Sequence, residues 1–281
     1  MNALKKLRPG FLAKSVSLVQ RDGEMCVQKR LRSLDFFLNH VFVMTRLKAC
    51  NHVPKLRSFS YDELTVEYFY VDGYHINEVD TESRAMCFFV AGQALAVLHN
   101  LRLNGYGRVF EWRDTLSDWW SIQDRRVREL LAWCYAERLY DREFLSRLSK
   151  YYAHFRLYVE PELESCLTHC DFHLDNLIFI NEHGRWRCVV LDFDHVMAAA
   201  PHFDLGRIEQ DIFFSWPQYT QEFLDGYSSI RYLPNLTSTL PLYRIIWPLN
   251  IYLWALRNRV PKLASEASER LYRVVNEERG R

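Results

Sequence analysis

Three polar side chains between positions 171 and 192 have the types and the spacing that phosphate chemistry requires. Asp171 and Asn176 lie five residues apart, and Asp192 follows a second apolar run. An amide oxygen and a carboxylate are hard ligands, the kind that Mg²⁺ takes together with substrate phosphates and water. The separate carboxylate of Asp171 could orient or accept the proton of an attacking hydroxyl. These residues therefore predict metal-assisted phosphoryl transfer to an alcohol group.

A β-hairpin must hold these residues together. Two apolar runs flank the Gly-bearing turn at residues 181–184, which is the pattern of a hairpin. If Ile180 pairs with Arg187, the ladder brings Asn176 next to residues 191–192. The sequence therefore predicts that Asn176 and Asp192 meet at the open end of the hairpin, with Asp171 on the loop that enters it.

The first part of the chain predicts a small sheet with one helix. Alternating apolar residues and turn signals give the order ββαββ, closing at Asp72-Gly73. The predicted strands are Ser15–Val19, Met25–Gln28, Leu56–Ser60 and Leu64–Val71, with a helix over Phe36–Leu47.

Helical periodicity dominates after Gly73 and predicts a second, larger part. The predicted helices cover Thr81–Asn100, Leu116–Tyr135, Asp141–Tyr152 and the region from Gln210 onward, interrupted by β-structure over Cys166–Asp194. We therefore predict an α+β, bilobal fold: a β-rich lobe over residues 1–72, a mainly helical lobe over residues 73–281, and a nucleotide in the cleft between them.

The motifs of the site resemble those of a known family. His169-x-Asp171-x4-Asn176, followed by Leu191-Asp192-Phe193-Asp194, is similar to the catalytic and metal-binding motifs of the aminoglycoside phosphotransferase and choline kinase group of small-molecule kinases. The segments Pro201–Gly206 and Phe223–Tyr227 also resemble that family. The likeness covers most of residues 10–230, and it implies a protein-kinase-like fold.

The resemblance implies a role for each matching residue. Asp171 would be the catalytic base, and Asn176 and Asp192 would hold Mg²⁺. Lys29 would contact the α and β phosphates of ATP or GTP. Asp194 would assist with metal or substrate.

The same resemblance implies supporting positions. His169 would support the catalytic loop, and His173 is open between a site role and a scaffold role. The backbone of Phe69 and Val71 would bind the adenine, and the turn Pro9–Ser15 would cover the nucleotide.

Two features depart from the family pattern. The covering turn contains a single glycine, Gly10, which limits how closely backbone amides approach phosphate. The predicted helix Phe36–Leu47 contains no glutamate to position Lys29, and Asn39, His40 or Asp35 are the candidate replacements.

Composition excludes several functional classes. The 36 Lys+Arg residues against 35 Asp+Glu leave a formal charge of +1, so no field of one sign would recruit nucleic acid or a membrane surface. The most apolar late stretch, Leu242–Leu256, is too short and too polar to span a bilayer. Seven scattered cysteines without CxxC pairs favour a reducing, cytoplasmic location.

The acceptor is predicted only as a class: a small metabolite, sugar, amino alcohol or aminoglycoside-like drug. The basic residues outnumber the acidic ones by 9 to 4 from position 230 to the end, which argues against a polycationic acceptor. The alternatives are a kinase-like module that binds a nucleotide or a partner without catalysis, and an atypical kinase acting on a protein or a glycan. Residues 195–215 contain no Ala-Pro-Glu segment of the protein-kinase type.

Overall fold

The N-terminal part is an antiparallel sheet that carries one helix. The computed structural model describes residues 5–7, 13–110, 118–159 and 164–277. Within them, five strands pair in the order β1-β2-β3-β5-β4. The elements are β1 Lys5–Leu7, β2 Ala13–Arg21, β3 Glu24–Leu31, α1 Leu34–Arg46, β4 Leu56–Ser60 and β5 Thr65–Phe69.

Turn chemistry explains where these strands begin and end. Asp22 and Gly23 adopt φ values of 50° and 86°, which closes the β2–β3 hairpin. Leu64 has a φ of 50° and so lies outside β5, although the sequence pattern placed it in the strand. The strand also ends at Phe69, two residues before the predicted end at Val71. The ββαββ order itself is as predicted.

Helix α1 lies between the sheet and the rest of the molecule. Ser33 caps it by accepting the backbone N–H of Phe36 at 3.4 Å. Phe37 packs with Leu31 and Val66 of the sheet in a small core. Elsewhere on the helix Asn39 and His40 are buried, although both are polar.

The C-terminal part is mainly helical, with two small β-ladders. Aspartates 80, 118 and 141 cap three of its helices by accepting the N–H three residues later. Its helices are α2 Thr81–His99, α3 Trp119–Ala136, α4 Arg142–Arg156, α5 His202–Ile208, α6 Thr220–Ser228, α7 Leu240–Arg257 and α8 Pro261–Glu277. Its strands are β6 Cys166–Thr168, β7 Leu177–Glu182, β8 Arg185–Val190 and β9 Met197–Ala199.

The predicted hairpin is present with the predicted register. Ile180 pairs with Arg187, and Leu177 pairs with Val190. The side chain of Asn181 accepts the N–H of Gly184 at 2.8 Å, which fixes the turn. Two details differ from the prediction: β9 pairs with β6 beyond the hairpin, and the helices resume at His202, earlier than Gln210.

Helices α2 and α6 cross in direct backbone contact. A Cβ atom on Gly92 would lie 2.0 Å from the carbonyl oxygen of Phe223. A Cβ on Gly226 would lie 1.9 Å from the carbonyl oxygen of Phe89. The two helices therefore touch through glycines, and this contact belongs to the core that also holds the hairpin residues Leu177 and Val190.

The described ranges contain no helix that is both long and apolar enough to cross a membrane. All seven cysteines are free thiols.

Candidate active site

The open end of the hairpin brings two of the predicted metal ligands to neighbouring backbone positions. The N–H of Leu191 donates to the carbonyl of Asn176 at 2.8 Å. Asp192 follows directly, with a φ of 61° that turns the chain out of the strand. Its side chain is about one-third exposed.

The side chain of Asn176 connects the hairpin to the loop before it. Its Nδ2 donates to the carbonyl of Asp171 at 2.9 Å. This bond uses the donor end of the amide and leaves the oxygen end for a ligand. An amide oxygen and a carboxylate oxygen are donor types that Mg²⁺ takes, so Asn176 and Asp192 are the residues here that could hold the ion.

Lys29 extends from the middle of β3 to the same place. Its side chain is buried, and Nζ lies 2.7 Å from Oδ1 of Asp192 and 2.7 Å from Oδ1 of Asp194. Burial acts to lower the pKa of Lys29, but the two carboxylates outweigh it and raise that pKa. The lysine is therefore a fixed cation between the N-terminal sheet and the hairpin.

Residues of α1 hold Asp194 from the other side. Nε2 of His40 lies 2.5 Å from Oδ1 of Asp194, and Nδ2 of Asn39 donates to the Asp194 carbonyl at 2.7 Å. Burial and the charge of Lys29 lower the pKa of His40, so the imidazole is neutral. With its proton on Nε2, His40 donates to Asp194, and its 3.4 Å approach to Nζ of Lys29 is then a contact between two donors.

This arrangement explains how Lys29 is held in position although α1 contains no glutamate. The buried carboxylate beside Lys29 comes from Asp194, and α1 contributes the His40 that binds it. His40, Asp192 and Asp194 offer ligand atoms within 4.8 Å of one another. Of the two carboxylates, Asp192 is about one-third exposed and Asp194 is buried, so Asp192 is the one that a hydrated Mg²⁺ could reach.

Asp171 lies on the loop before the hairpin, between two basic groups. Its carboxylate is 3.4 Å from Nε2 of His173 and 3.7 Å from Nη2 of Arg207. Burial acts to raise the pKa of Asp171, but His173 and then Arg207 outweigh it, and that pKa is well below its usual range. Asp171 in turn raises the pKa of His173, against the effect of burial.

A buried aspartate anchors the loop that carries Asp171. Asp204 accepts the N–H of His169 and the N–H of Cys170, both at 2.7 Å. His99 Nε2 lies 3.1 Å from the same carboxylate. His169 is itself buried, and its Nε2 is 2.9 Å from the carbonyl of Leu191, which links the loop to the segment that carries Asp192. Cys170 has a φ of 65°, so the loop turns sharply just before Asp171.

The predicted hinge residues border a cavity. Phe69 ends β5, Val71 follows it, and both line a cavity of about 510 Å³ together with Pro54, Ile180 and Val189. The predicted nucleotide-covering turn Pro9–Ser15 lies mostly outside the described residues, since residues 8–12 are not among them.

One residue of this site was not found by sequence reasoning. Arg207, on α5, lies 3.7 Å from Asp171. In the sequence it lies three residues after Asp204, and its position gives no other indication that it belongs to the site. The contact between Arg207 and Asp171 depends on how α5 packs against the rest of the molecule, and residue spacing in the sequence does not predict that packing.

Solved structures of similar fold include aminoglycoside phosphotransferases. The GDP and kanamycin complex of APH(2")-IIia has a TM-score of 0.70 and 14% identity, covering 99% of this chain and 95% of that one. A thermostable mutant of aminoglycoside phosphotransferase APH(4)-Ia, in a ternary complex with AMP-PNP and hygromycin B, has a TM-score of 0.68 and 19% identity, covering 99% and 94%. Spectinomycin phosphotransferase APH(9)-Ia, in complex with ADP and spectinomycin, has a TM-score of 0.59 and 16% identity, covering 97% and 91%.

At these identities the likeness establishes the fold, which is the predicted bilobal, protein-kinase-like α+β fold. No curated protein is significantly similar in sequence. The model of the phosphotransferase enzyme family (APH) matches residues 28–241, which is more than half of the chain, and the chain therefore belongs to that family of kinases acting on hydroxyl groups.

Proposed function

We propose that this protein transfers the γ-phosphate of an Mg²⁺-bound purine nucleoside triphosphate, ATP or GTP, to a hydroxyl of a small molecule. The proposal is carried by one juxtaposition. Nζ of Lys29 lies 2.7 Å from Oδ1 of Asp192. Asn176 accepts the N–H of Leu191, the residue before Asp192, and its side chain donates to the carbonyl of Asp171. This arrangement supports a site in which Lys29 would bind phosphate, Asn176 and Asp192 would bind a divalent metal, and Asp171 would face the hydroxyl.

Asn176 and Asp192 would hold Mg²⁺ through the amide and carboxylate oxygens. When bound, the ion would neutralise charge on the β and γ phosphates. Lys29 would bind the α and β phosphates. Its side chain must then share its ammonium hydrogens between Asp194 and the nucleotide, because it contacts both Asp192 and Asp194 without one.

Asp171 would orient the acceptor hydroxyl and take its proton. Its low pKa keeps the carboxylate ionised at neutral pH, so it always has lone pairs to accept that hydrogen bond. A carboxylate of such low pKa is a weak base. We therefore assign it orientation of the hydroxyl first, with proton acceptance as the bond to phosphorus forms.

The purine would lie against the backbone of Phe69 and Val71, beside the cavity that both residues line. The proposed division into lobes, 1–72 and 73–281, falls directly after them. A Cβ on Gly73 would lie 2.6 Å from both Cγ2 of Ile178 and the carbonyl oxygen of Phe179. The connection between the lobes is therefore packed directly on the hairpin, which would set the distance between the purine and the metal ligands.

The test separates the two aspartates with a coupled ADP-release assay and binding of a fluorescent ADP analogue. Asp192→Ala should abolish turnover and weaken Mg²⁺-dependent nucleotide binding. Asp171→Asn should abolish turnover while leaving nucleotide affinity within about twofold, because the base does not touch the nucleotide. Asp175→Asn is the matched control, since that side chain is 93% exposed in the same loop. Loss of nucleotide binding in Asp171→Asn would contradict the proposed role of this residue.

A further inference from the structure

The ammonium group of Lys29 lies among three side chains that could also hold a metal ion. Its Nζ is 2.7 Å from Oδ1 of Asp192, 2.7 Å from Oδ1 of Asp194 and 3.4 Å from Nε2 of His40. The same three residues offer ligand atoms within 4.8 Å of one another. The ammonium and a divalent ion would therefore compete for the same carboxylates.

The charge of Lys29 opposes a second cation at this place. Lys29 supplies one positive charge, and Asp192 and Asp194 supply one negative charge each. A divalent ion on the carboxylate of Asp192 would lie only a few ångströms from the ammonium. Like charges at that separation repel strongly when one of them is shielded from water, so a metal ion alone would bind weakly here.

Lys29 has little freedom to move away from both carboxylates. It lies in β3, the central strand of the sheet, and pairs there with Val16 of β2 and Val66 of β5. Its side chain is only 6% exposed, and Asp194 beside it is just as deeply buried. Asp192 is about one-third exposed and is therefore the partner that can exchange the ammonium for another cation.

The phosphates of a nucleotide would change this balance. They carry several negative charges, and their oxygen atoms bind both an ammonium and a divalent ion. An ammonium has three donors, so Lys29 could turn from Asp192 to a phosphate while it keeps its contact with Asp194. The same movement would release Asp192 to the metal.

We propose that Lys29 blocks the metal ligand Asp192 until a nucleotide binds, so that the divalent ion enters with the nucleotide and not before it. This inference rests on the proposed function and adds the order in which the site is filled. Because binding free energies are linked, the nucleotide and the metal each strengthen the binding of the other by the same factor. The lysine thereby keeps free metal ions off the carboxylates.

The first test measures binding of Mn²⁺ alone to the full-length protein, from the electron paramagnetic resonance signal of the free ion. Mn²⁺ takes the same oxygen ligands as Mg²⁺. Lys29→Met should bind Mn²⁺ at least about tenfold more tightly than the wild type, because a neighbouring positive charge is removed. Lys29→Arg keeps a cation and should bind Mn²⁺ no more tightly than the wild type. Equal affinities of the wild type and Lys29→Met would overturn the inference.

Two controls locate the ion. Lys48→Met removes an exposed positive charge just after α1 and should leave the affinity for Mn²⁺ as it is in the wild type. Adding Asp192→Ala to Lys29→Met should abolish the gain in affinity. A gain that persists without Asp192, or that Lys48→Met also produces, would refute the role of Lys29.

A second variant serves if Lys29→Met does not fold, since that change leaves the buried Asp194 without its cation. Lys29→Met combined with Asp194→Asn removes the buried charge together with its partner and leaves Asp192 in place. This double variant should still bind Mn²⁺ more tightly than the wild type, and Mn²⁺ should raise its unfolding temperature by more. The absence of both effects would contradict the inference.

Failure of this inference is distinguishable from failure of the proposed function. If the wild type binds no Mn²⁺ even with ADP present, and releases ADP from ATP no faster than Asp192→Ala, the proposed function fails. If it hydrolyses ATP in an Asp192-dependent manner, but the wild type and Lys29→Met bind Mn²⁺ alone equally well, only the role of Lys29 in the order of binding is wrong.

Discussion

Nε2 of His40 lies 2.5 Å from Oδ1 of Asp194, and the same oxygen lies 2.7 Å from Nζ of Lys29. The three side chains come from α1, from the segment after the hairpin and from β3. The carboxylate that positions the lysine therefore lies two residues after Asp192, while the helix supplies a neutral donor to that carboxylate. A buried lysine paired in this way retains its charge and its direction without a glutamate on α1.

We expect Asp194→Asn to raise KM for MgATP about tenfold or more, because Lys29 loses the buried carboxylate that holds it. A double variant, His40→Glu with Asp194→Asn, returns a carboxylate to α1 and should recover much of the loss in kcat/KM. The measurement is steady-state kinetics with MgATP varied, beside thermal unfolding of each variant. A merely structural role for Asp194 would lower the unfolding temperature in both variants and leave KM for MgATP unchanged.

Local patterns explain which parts of the site were predictable. The register of β7 with β8 follows from an apolar period of two and one turn, so Asn176 and Asp192 could be placed together from sequence. His40 and Asp194 are 154 residues apart, and their contact depends on how α1 packs against the C-terminal part. Sequence spacing named His40 as one candidate among three and could not select it.

The same reasoning applies to Arg207. Its neighbour Gly206 matters because a side chain there would collide with Tyr243, and this close approach brings Arg207 to Asp171. The motif that ends at Gly206 could be recognised in the sequence. The contact between α5 and α7 could not be predicted from it. Residues that act through helix packing are therefore found only in three dimensions, whereas residues on one hairpin are found from periodicity.

The contacts of Asp204 with the loop before Asp171 give a prediction about stability. Asp204→Asn replaces a carboxylate that accepts the N–H groups of His169 and Cys170, so at least one N–H would face an amide donor. We expect a loss of about 2–4 kcal/mol in the free energy of unfolding, measured by urea denaturation. Asp225→Asn, at an exposed site bonded to Gln221, should stay within about 0.5 kcal/mol. Equal losses in the two variants would contradict the anchoring role.

The glycine crossing of α2 and α6 predicts a large steric effect. Gly226→Ala would place a Cβ 1.9 Å from the carbonyl oxygen of Phe89, so the helices must separate, and we expect a loss of at least about 3 kcal/mol in unfolding free energy. Gly184→Ala is the contrast, because that position has open space and only a positive φ of 83°. Its cost should be about 1 kcal/mol, from backbone strain alone. Urea denaturation of both variants checks the order, and a smaller loss for Gly226→Ala than for Gly184→Ala would show that the helices are not in backbone contact.

Buried histidines predict how stability changes with pH. Burial lowers the pKa of His202 from 6.5 to about 4, so the unfolded chain binds a proton more tightly than the folded one. Stability should therefore fall as the pH is lowered from 6.5 to about 4, by roughly 3 kcal/mol from this residue. The measurement is the free energy of unfolding in urea at pH 7.5, 6.5, 5.5 and 4.5. His202→Asn should flatten this dependence even if it lowers stability at every pH, whereas His183→Asn, which removes an exposed imidazole, should keep the wild-type slope. An unaltered slope in His202→Asn would mean that this histidine does not drive the acid sensitivity, and the buried His99, whose pKa burial also lowers, would be the next residue to replace.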